Sequence, residues 1–459
     1  MGALEGNGVD NSIVLIGAGS TVFTPGLMAD LVASPVFSGW TVHLVDLVAD
    51  AAETMARLGS RMAAERGADL TFVPHVDRRE ALPGARFVTT TVAVGGAAGW
   101  KADLEVPARF GIAQTVGDTV GPGGVLRALR HVPELVAIGE DIAELAPDAQ
   151  LINYSNPLTA NVRAVSAATP IKVIGLCHGT MHTLSKLAAD LDVPRAEIHG
   201  VFAGINHLCW LLDLRQGTAD LYPRLRELVD RRADGIDAPS TREEGVHLAV
   251  SAQLLQTFGR YPAPGDRHVG EFFGWYLRNA DGTTVDDQRL PWGLQAGRDA
   301  TIEYIDEKRD LWDVLHAQAA GSSPLPAKDN QEAERLVSIA EALVTGKDHV
   351  ELAVNLPNRG KISNLPDDAV VEVPAVVGAA GITGLSVGAL PAGIAAVLQS
   401  RIDQQEITVQ AALTGRRDLA IQALALDPLV PNPSVAEAIL DAGIQAHGAR
   451  LQQFAAVTR

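Results

Sequence analysis

Cysteine is scarce in this sequence: Cys177 and Cys209 are the two thiols among 459 residues. Two cysteines cannot build the disulfide framework that stabilises many secreted domains. The first residues also lack the basic and apolar regions of a secretory signal peptide. We therefore expect a cytoplasmic protein that works in a reducing compartment.

Positive charge is scarce as well, because 37 lysines and arginines stand against 55 aspartates and glutamates, a formal net charge of −18. Such a charge opposes binding to nucleic acid and to anionic membranes. A long uninterrupted apolar run is also missing. The most apolar stretch, residues 370–398, contains Glu372, Pro374 and Pro391, so it does not predict a membrane span. We expect a small-molecule partner, and an anionic one would need a local basic pocket.

What the sequence does contain begins with a nucleotide-binding pattern. The apolar run 12–16 predicts a buried parallel strand, and it is followed by Gly17-Ala18-Gly19-Ser20. Two glycines between a strand and a helix allow a pyrophosphate to approach the helix N-terminus, although an ordinary turn is an equal alternative. The next predicted strand ends at Asp46, whose carboxylate can accept both ribose hydroxyls and would repel a 2′-phosphate. This arrangement favours NAD over NADP.

Strands and helices then alternate along the chain. Strands are predicted over 70–73, 87–91, 150–154 and 171–176, and helices over 51–67 and 125–145. This alternation predicts an α/β fold whose N-terminal doubly wound, Rossmann-type domain comprises residues 1–195 and binds the dinucleotide. A second, mixed α+β domain of residues 196–459 would bind substrate and metal and form oligomer contacts. Its first apolar stretch, 199–215, predicts one long strand of a second layer.

Two motifs contain ligands that suit a divalent transition metal, namely thiolate and imidazole. Cys177-His178 follows the last strand of the first domain, and Asn206-His207 lies in the next apolar stretch. A buried cysteine more often behaves as a small hydrophobe, so the pattern alone is weak. Asn156 precedes a proline at a strand end. There it could form a turn, or equally contact the cofactor or a sugar.

Two loops carry further candidates. Residues 114–124 form a glycine-rich loop with Asp118, which could be a substrate contact or a simple turn former. Residues 259–271 contain Tyr261, Asp266 and Arg267 among prolines and glycines. So many titratable groups are typical of an active-site loop, and a surface turn with solvated charges is the alternative.

Together these motifs resemble glycoside hydrolase family 4, the NAD- and manganese-dependent glycosidases, from Ile13 to about Pro428. The motifs that carry the resemblance are Gly17-Ala18-Gly19-Ser20, Ser155-Asn156-Pro157, Cys177-His178-Gly179, Gly204-Ile205-Asn206-His207, Asn355-Leu356-Pro357-Asn358 and Val371-Glu372-Val373-Pro374. By matched position the resemblance implies that Cys177 and His207 bind Mn²⁺ or another divalent metal, with Cys209 left as a core thiol. The residues expected to bind NAD are Gly17, Gly19, Ser20, Asp46 and Asn156.

The resemblance also implies a mechanism, in which the sugar is transiently oxidised at carbon 3, the aglycone is eliminated, and water adds. In this scheme NAD is regenerated in each turnover, and the family is an exception to the two-carboxylate glycosidase mechanism. Asp266 is the expected base, with Tyr261 as second choice. Asp118 is the candidate acid for the leaving oxygen, and His178 could assist it.

The substrate class follows from the same resemblance. His178 after the metal cysteine is similar to members that act on unphosphorylated α-glycosides, and it could bind a sugar hydroxyl, as could Asn156. The segment 265–273 resembles the uronic acid branch, where Arg267 could form a fork to a sugar carboxylate. We expect an α-galacturonidase or α-glucuronidase, with α-galactosidase or α-glucosidase as the alternative, in a homodimer or homotetramer.

Two other classes remain open at this point. A 2-hydroxy acid dehydrogenase, similar in fold to lactate and malate dehydrogenases, would accumulate NADH with its product, whereas the glycosidase would not. A non-enzymatic NAD-sensing protein gives no reason for a Cys/His pair beside a polar loop. Fold alone does not decide between these classes.

Overall fold

The computed structural model describes residues 11–233, 248–278, 290–307, 311–325 and 335–455. The N-terminal segment considered for a signal peptide lies outside these ranges. Within them one sheet contains thirteen strands. The strands are β1 (Ser12–Ile16), β2 (Trp40–Val45), β3 (Leu70–His75), β4 (Phe87–Thr90), β5 (Gln150–Asn153), β6 (Lys172–Gly175), β7 (Ile198–Ile205), β8 (Leu208–Gln216), β9 (Ala219–Asp220), β10 (Tyr261–Ala263), β11 (His349–Pro357), β12 (Val370–Gly378) and β13 (Gly381–Gly384).

Helices cover both faces of this sheet. They are α1 (Phe23–Ala33), α2 (Ala49–Arg66), α3 (Arg78–Ala81), α4 (Gly96–Ala108), α5 (Gly121–Leu145), α6 (Leu158–Ala168), α7 (Gly179–Asp190), α8 (Tyr222–Ala233), α9 (Leu248–Phe258), α10 (Asp266–Val269), α11 (Leu294–Glu307), α12 (Leu311–Ala319), α13 (Arg335–Thr345), α14 (Ala392–Thr414), α15 (Arg417–Ala425) and α16 (Pro433–His447). In the described part of the chain, no helix is both long and apolar enough to cross a membrane.

The first half of the sheet is parallel and has the order β3-β2-β1-β4-β5-β6. This is the doubly wound order of dinucleotide-binding domains. All five residues of β1 are buried, as its continuous apolar run predicts for a strand covered on both faces. The α/β fold class predicted from the sequence is therefore confirmed.

The second half of the sheet is antiparallel and joins the first without a break. β11 pairs with β6, and β12, β7, β8 and β10 follow outward. β11 and β12 come from late in the chain, yet β11 pairs directly with β6 of the first half. The sheet thus continues across the predicted boundary between residues 195 and 196. The division into two domains stays a prediction.

Two local predictions were wrong. Residues 199–215 do not form one strand of a second layer, because the chain reverses at His207 (φ 66°) and makes the hairpin β7–β8 within the same sheet. Helix α5 begins at Gly121 and not at Val125. A Cβ at Gly121 would lie 2.2 Å from Gln114 Nε2, and one at Gly124 would lie 2.5 Å from the Thr119 carbonyl carbon. These glycines let the first turn of α5 pack against its own preceding loop.

One register row runs across the whole sheet, and we call it the central row. Each strand on the path from β3 to β10 contributes one residue to it: His75, Val45, Ile16, Thr90, Asn153, Gly175, Asn355, Glu372, Gly204, Cys209 and Ala263. Parallel sheets bind their ligands just beyond the carboxyl ends of the strands, and the parallel strands end at this row. The central row therefore marks the edge at which functional side chains are expected.

Helix α14 is held to the core by a buried ion pair. The guanidinium of Arg401 donates from Nη1 to Asp427 Oδ2 at 2.9 Å and from Nη2 to the carbonyl oxygen of Phe272. Gln404 Nε2 also donates to Asp427 Oδ2, at 3.1 Å. Both charged side chains are almost completely buried, so each depends on the other for compensation.

We predict that Asp427→Ala lowers the free energy of unfolding by roughly 3–5 kcal/mol, because it leaves the buried Arg401 without its carboxylate. The control is Asp418→Ala, which removes a solvent-exposed partner of Arg416 and should change stability little. Urea unfolding followed by circular dichroism measures both variants. Equal midpoints for the two variants would contradict the prediction.

Candidate active site

The turn predicted to bind the nucleotide, called the nucleotide turn below, comprises residues 17–20 and follows β1. Gly17 has φ 87°, and a Cβ on it would lie 2.9 Å from the carbonyl carbon of Thr91. A Cβ on Gly19 would lie 2.6 Å from Asp46 Oδ2, to which the Gly19 N–H donates at 2.8 Å. Ser20 Oγ accepts from the N–H of Phe23 at the start of α1. The turn is thus a close backbone cradle beside a carboxylate, which fits a dinucleotide.

A candidate metal group lies farther along the same edge. Asp118, His207 and His268 each offer one atom that could bind a metal, a carboxylate oxygen or an imidazole nitrogen, and these three atoms lie within 4.8 Å of one another. His207 is at the tip of the β7–β8 turn, whereas His268 is in α10. The predicted ligand His207 is thus joined by Asp118, which was predicted as an acid, and by His268, which sequence reasoning missed. His268 lies inside the loop 259–271, and that loop was the available signal.

Hydrogen bonds orient the side chains of this group. Asn156 Nδ2 donates to Asp118 Oδ2 at 2.8 Å, and Thr119 Oγ1 donates to Asp118 Oδ1 at 2.7 Å. The Thr119 hydroxyl is also 2.8 Å from His207 Nδ1. Such outer hydrogen bonds hold ligand side chains in one orientation. Asn156 therefore contacts the metal group directly, in addition to its predicted place near the cofactor.

Electrostatics keep both histidines neutral. Burial lowers the pKa of His207; the Asp118 carboxylate opposes this shift, and Arg267 adds to it. Burial lowers the pKa of His268 much further, with contributions from His207 and Arg267. Neutral imidazole is the form that binds metals. The donor set, two imidazoles and one carboxylate, fits a divalent transition metal.

Cys177 stands outside this group among the described residues. Its Sγ accepts from the Gly179 N–H at 3.4 Å. Burial raises the pKa of the thiol to about 12, and the carboxylates of Glu372 and Asp118 add to the shift. The thiol is therefore protonated until a cation lies beside it, because a coordinated thiol loses its proton.

A buried polar cluster lies behind Cys177 on the central row. Asn206 Nδ2 donates to Glu372 Oε2 at 3.4 Å, and both residues are almost completely buried. Burial raises the pKa of Glu372 to about 7, although hydrogen bonds from Asn206, Asn355 and Cys209 oppose the shift. The cluster connects the β7–β8 turn, which carries His207, to the neighbouring strand β12.

The predicted bases occupy different surroundings. Asp266 is buried and accepts from the N–H groups of Val250 and Ser251 at 2.8 and 2.9 Å, in the first turn of α9. Burial raises the pKa of Asp266 to about 6, against these hydrogen bonds. Tyr261 is 2% exposed and packs in a hydrophobic core cluster, on the strand β10 that pairs with β8. Asp266 thus caps a helix, and both base assignments stay predictions.

Two of the predicted sugar contacts, His178 and Arg267, have different surroundings. The ring of His178 stacks on Phe23 of α1, with centroids 6.2 Å apart, which places it beside the nucleotide turn. Arg267 is exposed, and its positive charge lowers the pKa values of His207 and His268. A guanidinium therefore lies close to the metal group, and its role stays a prediction.

Glu271 is a functional candidate that sequence reasoning did not single out. Its carboxylate is buried and accepts from the N–H groups of Val116 and Gly117 at 2.7 and 2.9 Å. Burial raises the pKa of Glu271 to about 7, with the nearby Asp118 carboxylate adding to the shift. Glu271 thus ties the loop that carries Asp118 to the loop that carries Arg267.

Two sequence models of protein families match the chain. Residues 12–193 match the model described as family 4 glycosyl hydrolase, and residues 202–430 match the model of the family 4 glycosyl hydrolase C-terminal domain. Together the two matches cover most of the chain.

The chain is also similar to individual proteins. It is 33% identical to an alpha-galacturonidase from Thermoanaerobacterium saccharolyticum, over 93% of this chain and 93% of that protein. It is 30% identical to an alpha-galactosidase from Bacillus subtilis, over 91% of this chain and 92% of that protein. A crystal structure of a 6-phospho-alpha-glucosidase from gut microorganisms, in complex with NAD and Mn²⁺, aligns with a TM-score of 0.78. That alignment has 22% identity and covers 96% of this chain and 99% of the other, and it shows the shared fold.

The geometry predicts that His268→Ala weakens Mn²⁺ binding by at least about tenfold, because loss of a direct ligand should cost no less than loss of an outer hydrogen bond. The control is His199→Ala, an exposed histidine of β7, which should leave the affinity unchanged. Competition with a fluorescent chelator measures both variants. Unchanged affinity in His268→Ala would exclude His268 as a ligand and leave Cys177 and His207, the ligands predicted from the sequence.

Proposed function

The chain belongs to the family 4 glycosyl hydrolases, and from this membership we propose that it is an NAD- and divalent-metal-dependent glycosidase that cleaves unphosphorylated α-glycosides. The observation that supports this most directly is the proximity of the metal group to the edge that carries the nucleotide turn. Ligand atoms of Asp118, His207 and His268 lie within 4.8 Å of one another. Asp118 accepts a hydrogen bond from Asn156, which follows the carboxyl end of β5, as Gly17 follows that of β1.

We propose that Gly17, Gly19, Ser20 and Asp46 bind NAD. We assign the metal to His207 and His268, and we keep Cys177 as a further ligand from the family resemblance. Asp118 lies beside these histidines, and we keep it as the proton donor and not as a ligand, because a metal-bound carboxylate is ionised. When bound, NAD would accept and return the hydrogen of sugar carbon 3, and the metal would polarise the oxygen on that carbon.

The chain's own groups would then move protons. The raised pKa of Asp266, about 6, lies near neutral pH, where a general base works well. Asp266 is the proposed base for the proton on sugar carbon 2, with Tyr261 as second choice. Asp118, oriented by Asn156, is the proposed acid for the leaving oxygen. His178 is proposed to bind a sugar hydroxyl or to assist the acid.

We further propose that the substrate is an α-galacturonide or α-glucuronide. Arg267 supports this proposal, because its exposed guanidinium lies close enough to the metal group to lower the pKa values of both histidines. A sugar carboxylate could pair with it as a fork. An α-galactosidase or α-glucosidase activity is the alternative, which the 30% identity to an alpha-galactosidase supports. The predicted homodimer or homotetramer and the cytoplasmic location stay predictions from the sequence.

Hydrolysis in D₂O tests the mechanism. With NAD⁺, Mn²⁺ and a reductant present, we expect the released sugar to carry deuterium at carbon 2, because a proton is removed there and replaced from solvent. NADH should not accumulate in proportion to product. Sugar released without deuterium at carbon 2 would contradict the elimination mechanism, and stoichiometric NADH would indicate a dehydrogenase.

A single substitution tests the substrate class. Arg267→Ala should lower kcat/KM on an α-galacturonide by roughly 10- to 100-fold, because a hydrogen bond between charged groups contributes about 1.5–3 kcal/mol. The same variant should change kcat/KM on the matching α-galactoside much less. Arg215→Ala, which removes an exposed arginine of β8, is the control. Equal losses of kcat/KM on the two substrates would contradict the proposal that Arg267 pairs with the sugar carboxylate.

A further inference from the structure

Trp100 is a half-buried aromatic residue of α4 that none of the roles above includes. Its indole is held by three contacts: Nε1 donates to the carbonyl oxygen of Val116 at 2.7 Å, the guanidinium carbon of Arg127 lies 5.4 Å from the ring centroid, and Tyr304 meets it edge-on at 6.0 Å. These contacts keep a large, partly exposed aromatic surface in one orientation.

Two of these contacts lead to Asp118. Val116 lies two residues before Asp118 in the same loop. Arg127 Nε donates to the carbonyl oxygen of Asn156 at 3.1 Å, and the Asn156 side chain donates to Asp118. Trp100 is therefore connected to the proposed acid for the leaving oxygen by two routes, one through the loop at Val116 and one through Arg127 and Asn156.

The third contact leads to Arg267. Tyr304 is on α11, and Gly297 of the same helix lies so close to Arg267 that an added Cβ would be 2.9 Å from the Arg267 Cβ. Residues 297 and 304 are seven apart, so they share one face of the helix. They are separated by about 10 Å along its axis, which is comparable to the length of a disaccharide. Arg267 and the aromatic residues thus lie along one side of the site.

A rigid aromatic side chain at this position has a clear chemical use. The carbon–hydrogen face of a pyranose ring is apolar, and it gains dispersion and hydrophobic stabilisation when it covers an aromatic ring. Ligand sites combine such apolar surface with a few oriented polar groups. Here Arg127 lies against the indole ring, and the side chain remains partly accessible.

We propose that Trp100 and Tyr304 form the subsite for the sugar on the leaving-group side of the cleaved bond, so that the substrate is a disaccharide or longer oligosaccharide. The connection from Trp100 to the loop of Asp118 assigns the subsite to that side, because Asp118 is the proposed acid for the leaving oxygen. The proposal rests on the proposed glycosidase function.

The test compares a disaccharide substrate with a methyl glycoside of the same sugar, which has no second ring. Trp100→Ala should raise KM for the disaccharide about tenfold and leave kcat/KM for the methyl glycoside within about twofold. Trp100→Phe should recover most of the disaccharide affinity, since a ring is retained. Trp312→Ala, a half-buried tryptophan of α12, is the matched control and should change neither substrate.

A second measurement separates this subsite from the proposed function. Calorimetry with a thio-linked disaccharide, in the presence of NAD⁺ and Mn²⁺, reports binding without turnover, and Trp100→Ala should weaken that binding about tenfold. Tyr304→Ala, on a different helix, gives an independent variant in case Trp100→Ala does not fold. If the parent protein hydrolyses neither substrate, the glycosidase proposal fails, and the binding measurement still decides the subsite. The subsite proposal would be overturned if Trp100→Ala and Tyr304→Ala changed kcat/KM equally for the disaccharide and the methyl glycoside. It would also be overturned if neither variant changed kcat/KM for either substrate.

Discussion

The structure depends on the register with which β11 joins the parallel and antiparallel halves of the sheet. Asn355 pairs with Gly175 on one side and with Glu372 on the other, and these pairings complete the central row. A slip of one residue would turn every side chain of a strand to the opposite face. Because Gly17, Asp46, Asn156, Cys177, His207 and Asp266 all lie within three residues of the row, this register brings the candidate site together.

Buried carboxylates hold the elements around this edge in place. Glu372 contacts the turn that carries His207, Glu271 holds the loop that carries Asp118, and Asp266 caps α9. Burial raises the pKa of each of them to near neutrality. Burying a carboxylate costs stability unless hydrogen bonds compensate it, and sites that are supported in this way are well oriented for chemistry. The same groups therefore serve both the fold and the site.

The family 4 glycosyl hydrolase resemblance inferred from the motifs is confirmed by the two family matches and by relatives at 30–33% identity. Membership does not by itself choose the substrate, because relatives of similar identity act on galacturonides and on galactosides. The difference between these substrates is one carboxylate on the sugar. Arg267, the residue proposed to pair with that carboxylate, lies in the short helix α10 and not in the sheet.

Local sequence was sufficient for the nucleotide turn and the parallel strands. The strand at 12–16, the turn with two closely spaced glycines and the strand end at Asp46 could be predicted. Each of these features depends on neighbouring residues or on a short crossover connection. The hairpin at His207, the start of α5 at Gly121, and the convergence of His268 with Asp118 could not, because each depends on contacts between segments distant in sequence. Motif order, by resemblance, assigned Cys177 and His207 to a metal. Tertiary structure alone brought Asp118 and His268 to His207, since only the paired sheet places the β7–β8 turn beside loops from both halves of the chain.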